Sequence, residues 1–353
     1  MPVHSHIMTK PRLMEKLKFF YDKVAKNDGK IGTALRGIEM NYNNACNLRC
    51  KYCFTNSPKG EGVKEKLSLS KIKDIADQAD DLGFVEFDLQ GGELLLWKEE
   101  IFNVLDAIQP ERFYLYFTTN GWHMTPKIAK ELAKHNVSRV SVSLDSIHPN
   151  IHDEMRGKKE SWARAMEALR YVQEAGMDPY LNVTVGHYNA KSEDLRQLLD
   201  YSKQHKYRTL VNVAVPSGMW KSVHDIICDE DDIEHIRNLR KEYKNLNRNL
   251  WNPFDKNFEK IMGCTTVNRI YITPVGDVLV CPYVHIKIGN VFKNSLKEIT
   301  NYGFKIKHFK DHSALCLAGE DKNFIKKFMV GKKQSIFNPA LAEDVFSKED
   351  FVK

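Results

Sequence analysis

The 353-residue chain is 42% hydrophobic and 28% charged, with a formal net charge of +7, the balance of a folded globular protein. No apolar run approaches the roughly 18–20 residues that span a bilayer, and Lys10, Arg12 and Lys16 break up the N-terminus where a signal peptide needs an apolar centre; the expectation is a cytoplasmic protein with no membrane partner. Its basic residues are spread along the chain, with only Lys326-Lys327 and Lys332-Lys333 clustered, which reads as a solvated surface and not as a nucleic-acid-binding arm.

Taken in chain order, residues 1–36 form a basic N-terminal helical extension, with Leu13, Leu17, Phe20 and Val24 near helical spacing. Ile38 to Tyr42 alternate as a short strand. Cys46, Cys50 and Cys53 follow directly, a C-x3-C-x2-C run. The pattern then switches repeatedly between period 2 and period 3.6. Helices are expected over 68–82, with Ser68 as cap, and over 99–108. Further helices are expected from Thr125-Pro126 to His135, from a Ser161 cap to Gly176, over 192–205 and over 229–243. Strands are expected over 84–89, 113–117, 139–144, 180–185 and 209–215. Six strand–helix units imply right-handed crossovers and a parallel sheet, with the polar and glycine signals at the carboxyl ends of the strands. The period alone does not choose between an open doubly wound sheet and a partial barrel.

Beyond residue 245 the character changes. Arg269–Thr273 and Val278–Val280, joined by Pro274-Val275-Gly276-Asp277, read as a β-hairpin between Cys264 and Cys281, with Cys316 later. Residues 326–353 read as a lysine-rich surface tail with a helical part.

Seven cysteines in a cytoplasmic chain point to metal or redox chemistry before disulfides. Three thiolates are one short of the four that usually hold a [4Fe–4S] cluster, and a cluster held by three leaves one iron open to a small molecule. The competing reading is a zinc site or three buried thiols, but no second cysteine pair or histidine follows closely. The 13 histidines are scattered without ligand spacing.

The spacing of Cys46, Cys50 and Cys53, with Tyr52 ahead of the last, resembles the radical S-adenosylmethionine (radical SAM) superfamily. The resemblance implies an α/β fold: a partial (β/α)6 TIM-type barrel over 37–245, with a small C-terminal iron–sulfur domain containing the β-hairpin over 246–325. It implies that S-adenosylmethionine chelates the open iron and is cleaved to a 5′-deoxyadenosyl radical. Gly91-Gly92-Glu93 resembles the family's GGE motif, whose carboxylate meets the cofactor's ammonium group. Ser143 and Asp145 resemble the segment that contacts ribose and carboxylate, and Arg156 stands where the family places a partner for the methionine carboxylate. Thr119, Asn120 and Val185 would line the same pocket, and Tyr52 would sit near the adenine. Cys264, Cys281-Pro282, Gly289-Asn290-Val291 and Cys316 resemble the SPASM/Twitch extension, which implies one auxiliary [4Fe–4S] cluster on Cys264, Cys281 and Cys316. Its fourth ligand stays open between Cys228, another side chain and a vacant iron; Cys228 is otherwise a hydrogen-atom donor or a thiol without a role. Pro216–Trp220 lies where substrate would enter.

The resulting expectation is an oxidoreductase or epimerase acting on a small polar metabolite of sugar or aminocyclitol type, with a reductant such as flavodoxin or ferredoxin. The second reading is radical modification of a ribosomal peptide or protein side chain. The 45 residues ahead of Cys46 weigh against it, being too few for a peptide-recognition domain. A third, of another class, is a non-catalytic iron–sulfur electron carrier.

Overall fold

The computed structural model describes residues 8–253, 255, 257 and 259–352; residues 1–7 of the N-terminal extension and the last residue of the tail lie outside the described residues. Strands β1 (Gly37–Asn41), β2 (Glu86–Gln90), β3 (Tyr114–Thr119), β4 (Arg139–Ser143), β5 (Pro179–Val185) and β6 (Arg208–Val213) lie within two residues of their expected bounds. They pair in parallel in chain order, as a partial TIM-type barrel requires. A two-residue strand β7 (Leu246–Asn247) extends the β6 edge.

The intervening helices form where apolar spacing and caps agree. Ser68, Thr125 and Ser192 accept hydrogen bonds from the backbone N–H three residues on, and Asp229 closes a capping box with Asp232. Ser161 differs from expectation. It opens its helix (Ser161–Glu174) rather than capping it, because its hydroxyl donates to Asp153 while Glu160 takes the left-handed cap conformation. A further helix, Pro149–Arg156, occupies a stretch assigned no element from sequence.

Outward strand positions carry the core. Ile38, Met40, Phe87, Leu89, Leu115, Phe117, Val140 and Val142 are fully buried with Ile72, Ile101, Leu132 and Leu169 of the surrounding helices. Inward positions are polar. Glu39, Asp88, Tyr116 and Arg139 stand in register across four strands, so the barrel encloses a chamber where a TIM barrel normally holds packed branched side chains. The opposite end is closed by Lys10. Its ammonium donates to the carbonyls of Pro110, Phe113 and Asn136 and to the Ser138 hydroxyl, anchoring the helix Pro11–Lys26 beneath the strands.

The C-terminal hairpin does not stand apart from the barrel. Strand β8 (Arg269–Ile272) pairs in parallel with β1, then in antiparallel with β9 (Asp277–Leu279), which is followed by β10 (Ile286–Asn290) and β11 (Ala340–Leu341) in a sheet of eleven strands. The surface-tail reading of 326–353 fails on burial. Phe328, Ile336, Ala342 and Phe346 are 0–4% exposed, because β11 and the residues around it cover the far edge of this sheet.

Candidate active site

The loop after β1 carries Cys46, Cys50 and Cys53, and it is fixed by backbone contacts from three directions. Gly92 and Glu93 donate their N–H groups to the Asn43 and Ala45 carbonyls at 2.8 Å each. Arg49 and Lys51 donate to the carbonyls of Arg156 and Met155, and Met219 donates to the Cys53 carbonyl. Glycine is required at each approach. A Cβ on Gly92 would lie 2.2 Å from the Ala45 oxygen, one on Gly157 2.4 Å from the Arg49 oxygen, and one on Gly218 2.3 Å from the Cys53 oxygen. Gly91 is likewise packed on the Asn43 carbonyl. These glycines admit the cysteine loop's own backbone. Inside the loop, the Asn44 amide donates to the carbonyls of Thr55 and Glu61, and Ser57 donates to the Asn44 carbonyl.

All three thiols open on one cavity of about 250 Å³, and so do Cys264, Cys281 and Cys316. Among the described residues lining it there is no histidine and no seventh cysteine. Each thiol of the first trio has a polar neighbour: the Leu48 N–H at 3.5 Å and the Asn120 amide at 3.9 Å from Cys46, Arg156 Nη1 at 3.9 Å from Cys50, and the Thr55 hydroxyl at 3.3 Å from Cys53. Burial pushes the Cys46 thiol up to about 12 and Cys50 up to about 11. A metal that stabilises thiolate would therefore be needed to ionise them. Three thiols on one cavity with donors around the sulfurs suit a cluster. In the second trio, Cys264 and Cys316 share a hydrogen bond, which holds Cys264 low and Cys316 high. The Glu320 carboxylate accepts from the Cys316 N–H at 2.7 Å and pairs with Arg248 at 2.8 Å.

Of the residues expected around the cofactor, Tyr52, Gly91, Gly92, Thr119, Asn120, Ser143 and Arg156 line the cavity. Glu93, Asp145 and Val185 do not. The Glu93 carboxylate is 1% exposed and accepts from the Thr119 hydroxyl and the N–H groups of Asn120 and Leu95, so its side chain ties β2 to β3. Asp145 accepts from Arg156 Nε at 2.8 Å, from the Thr184 N–H and from the Tyr52 hydroxyl, and thereby aims two residues that do face the cavity. Val185 is turned outward by strand parity, since Asn182 and Thr184 of β5 point inward. Cys228 is fully buried among apolar residues, its sulfur 3.8 Å from the Val185 carbonyl, and does not reach the cavity. Trp220 lines the cavity and packs on Tyr52 at 5.3 Å.

The floor was missed from sequence. Arg269 spans Glu39 at 2.9 Å and Asp88 at 2.7 Å, and Arg139 and Arg248 also line the cavity. Burial raises the Glu39 carboxyl to about 7 against the opposing pull of Arg269. The signal was available: Glu86-Phe87-Asp88-Leu89 and Arg139-Val140-Ser141-Val142 alternate in strands that helices and a second face both cover, where continuous apolar runs are the rule.

The radical SAM superfamily profile matches residues 40–202, and the iron–sulfur cluster-binding SPASM profile matches residues 264–319. The chain belongs to the radical SAM superfamily and carries a SPASM-type cluster domain, the class whose cofactors are an S-adenosylmethionine-binding [4Fe–4S] cluster and an auxiliary cluster. It is 26% identical to the mycofactocin maturase MftC of Mycolicibacterium smegmatis over 281 residues, covering 72% of this chain and 67% of that protein. It is 29% identical to the GTP 3′,8-cyclase of Petrotoga mobilis over 155 residues, spanning 42% of this chain and about half (46%) of that enzyme. Among solved structures, anSMEcpe with bound AdoMet and Cp18Cys peptide superposes with a TM-score of 0.62 at 18% identity, over 86% of this chain and 92% of that one. No described helix is long and apolar enough to cross a membrane.

Proposed function

We propose that this chain modifies a side chain of a peptide or protein by radical chemistry. The observation that carries the reading is the single cavity reached by both cysteine trios, which would bring the reacting atom and an electron outlet into one chamber. Cys46, Cys50 and Cys53 would hold the first cluster, which supplies the electron that cleaves S-adenosylmethionine into methionine and a hydrogen-abstracting 5′-deoxyadenosyl radical. Cys264, Cys281 and Cys316 would hold the auxiliary cluster. Arg156, positioned by Asp145, would meet the cofactor's carboxylate. Asn120 and Thr119, held by Glu93, would shape the wall, and Tyr52 with Trp220 would face the adenosine.

The peptide reading is preferred to a sugar or aminocyclitol because two of the matches of broad coverage point that way. A maturase matches over most of this chain, and a peptide-bound structure is matched over 92% of its length. A fold of this extent therefore suffices for peptide capture, and the shortness of the segment ahead of Cys46 loses its weight. Residues 37–245 and 246–325 would then be two halves of one catalytic unit. Cytoplasmic location and reduction by flavodoxin or ferredoxin belong to the same reading, which suits seven unpaired cysteines.

The test is anaerobic reconstitution with iron and sulfide, followed by dithionite, S-adenosylmethionine and peptides encoded beside the gene. The expected result is 5′-deoxyadenosine together with a peptide of altered mass. Turnover of a sugar or aminocyclitol with no peptide modified overturns the substrate assignment, and no 5′-deoxyadenosine under any condition overturns the radical assignment.

A further inference from the structure

We infer that Arg139 is the receptor for a carboxylate on the substrate, an inference that rests on the peptide reading above and narrows it to peptides bound through a carboxylate, on a side chain or at the chain terminus. Arg139 opens β4 on the chamber floor, is 6% exposed and lines the cavity. Its guanidinium lies 3.8 Å from the Tyr116 ring and 4.1 Å from the Tyr180 ring, which fixes its plane. Its one hydrogen bond among the described residues runs from Nε to the Ser141 hydroxyl at 3.1 Å. The neighbouring carboxylates are spent elsewhere: Asp88 on Arg269 and Thr118, Glu39 on Arg269 and Gln90, and Glu86 on Arg36. None of the described residues forms an ion pair with Arg139.

The other cavity arginines have visible duties. Arg156 bonds Asp145 and approaches Cys50, Arg248 pairs with Glu320 beside Cys316, and Arg269 bridges two acids. Arg139 touches neither cysteine trio. Asp88 acts on Arg139 only at a distance, without a direct ion pair, so the guanidinium keeps hydrogen-bonding capacity that a ligand carboxylate would satisfy. A planar guanidinium held by aromatic faces is preorganised for two parallel hydrogen bonds to a carboxylate. Asn182, Thr184 and Asn212 add polar groups on the same chamber wall, suited to peptide amides.

The test measures binding to the reconstituted enzyme by equilibrium dialysis and thermal shift, with three probes: N-acetylglutamic acid α-amide, N-acetylglutamine α-amide and N-acetylglutamine free acid. Native enzyme is expected to bind one of the carboxylate probes about tenfold or more tighter than the neutral amide. Preference for the first probe identifies an acidic side chain, and preference for the third a chain terminus. Arg139→Gln is expected to bring the ratio near one, with Arg139→Lys between. Equal binding of all three probes by the native enzyme overturns the inference without any variant. So does S-adenosylmethionine binding that falls in step with the probe in Arg139→Lys, which would assign the residue to the cofactor. A native enzyme that prefers the carboxylate probes but modifies no peptide would sink the peptide reading and leave Arg139 as a carboxylate receptor.

Discussion

The two cysteine trios reach the same cavity by different constructions. Cys46, Cys50 and Cys53 lie on one loop, and backbone hydrogen bonds from the end of β2, the helix Pro149–Arg156 and the segment around Met219 hold that loop against glycines. Cys264, Cys281 and Cys316 come from separate segments: the Cys264 N–H donates to the Ser313 carbonyl, the Cys316 carbonyl accepts from the Glu320 N–H, and the Glu320 carboxylate caps the Cys316 N–H while pairing with buried Arg248. The first site is a local motif that the barrel clamps. The second exists only once the chain around it has folded.

Removing each trio tests that difference most severely. Alanine at Cys46, Cys50 and Cys53 should remove about four irons per chain and abolish 5′-deoxyadenosine formation, read by iron assay and chromatography. Alanine at Cys264, Cys281 and Cys316 should also remove about four irons, yet depress cofactor cleavage less than peptide modification. Equal loss of both activities in the two variants breaks the comparison.

Next in size is Glu320→Leu. It leaves Arg248 buried without its counter-charge, for a loss of about 3–5 kcal/mol in chemical denaturation, and auxiliary iron should be released before first-site iron. Gly92→Ala should act in the opposite sense. Its new Cβ meets the Ala45 carbonyl, so about 2–3 kcal/mol is lost and first-site iron is depleted while auxiliary iron is kept.

The smallest effect near neutrality is a pH dependence. Burial lowers His152 to about 4, and its Nδ1 accepts from the Asp145 N–H at 3.2 Å. Between pH 4 and the unfolded value near 6.5 the folded chain binds fewer protons than the unfolded one, so stability falls as pH drops through that window. The contribution is about 1 kcal/mol at pH 6 and approaches about 3 kcal/mol at pH 4. His152→Asn, which keeps an acceptor, should flatten the slope in denaturation midpoints at pH 7 and pH 5.

What was legible in sequence follows the same division. The six βα units and the caps at Ser68 and Thr125 are short-range signals, and the structure reproduces them. The C-x3-C-x2-C loop is equally local. Parity was harder: Val185 was read into the pocket because a strand end was treated as facing one way, when Asn182 and Thr184 take the inward positions. A motif gives the position of Glu93 but not its partners: the Leu95 N–H lies two residues away, whereas the Thr119 hydroxyl and the Asn120 N–H come from the end of β3. The chamber floor needed the alternation to be read against the layer architecture. Burial of the last residues depends on β11 pairing with β10, a contact across some fifty residues that no local pattern records.

The pairing of β8 with β1 has a mechanical meaning. One continuous ladder of amide bonds runs from the strand that launches the first cysteine loop to the strand that follows Cys264. Among the described residues this pairing ties the two halves edge to edge, so in the proposed reading the separation of the two clusters would be set by strand spacing. Cutting the chain after residue 245 would strip β1 of a neighbour and bare a central edge to other molecules, so the halves should aggregate when expressed apart.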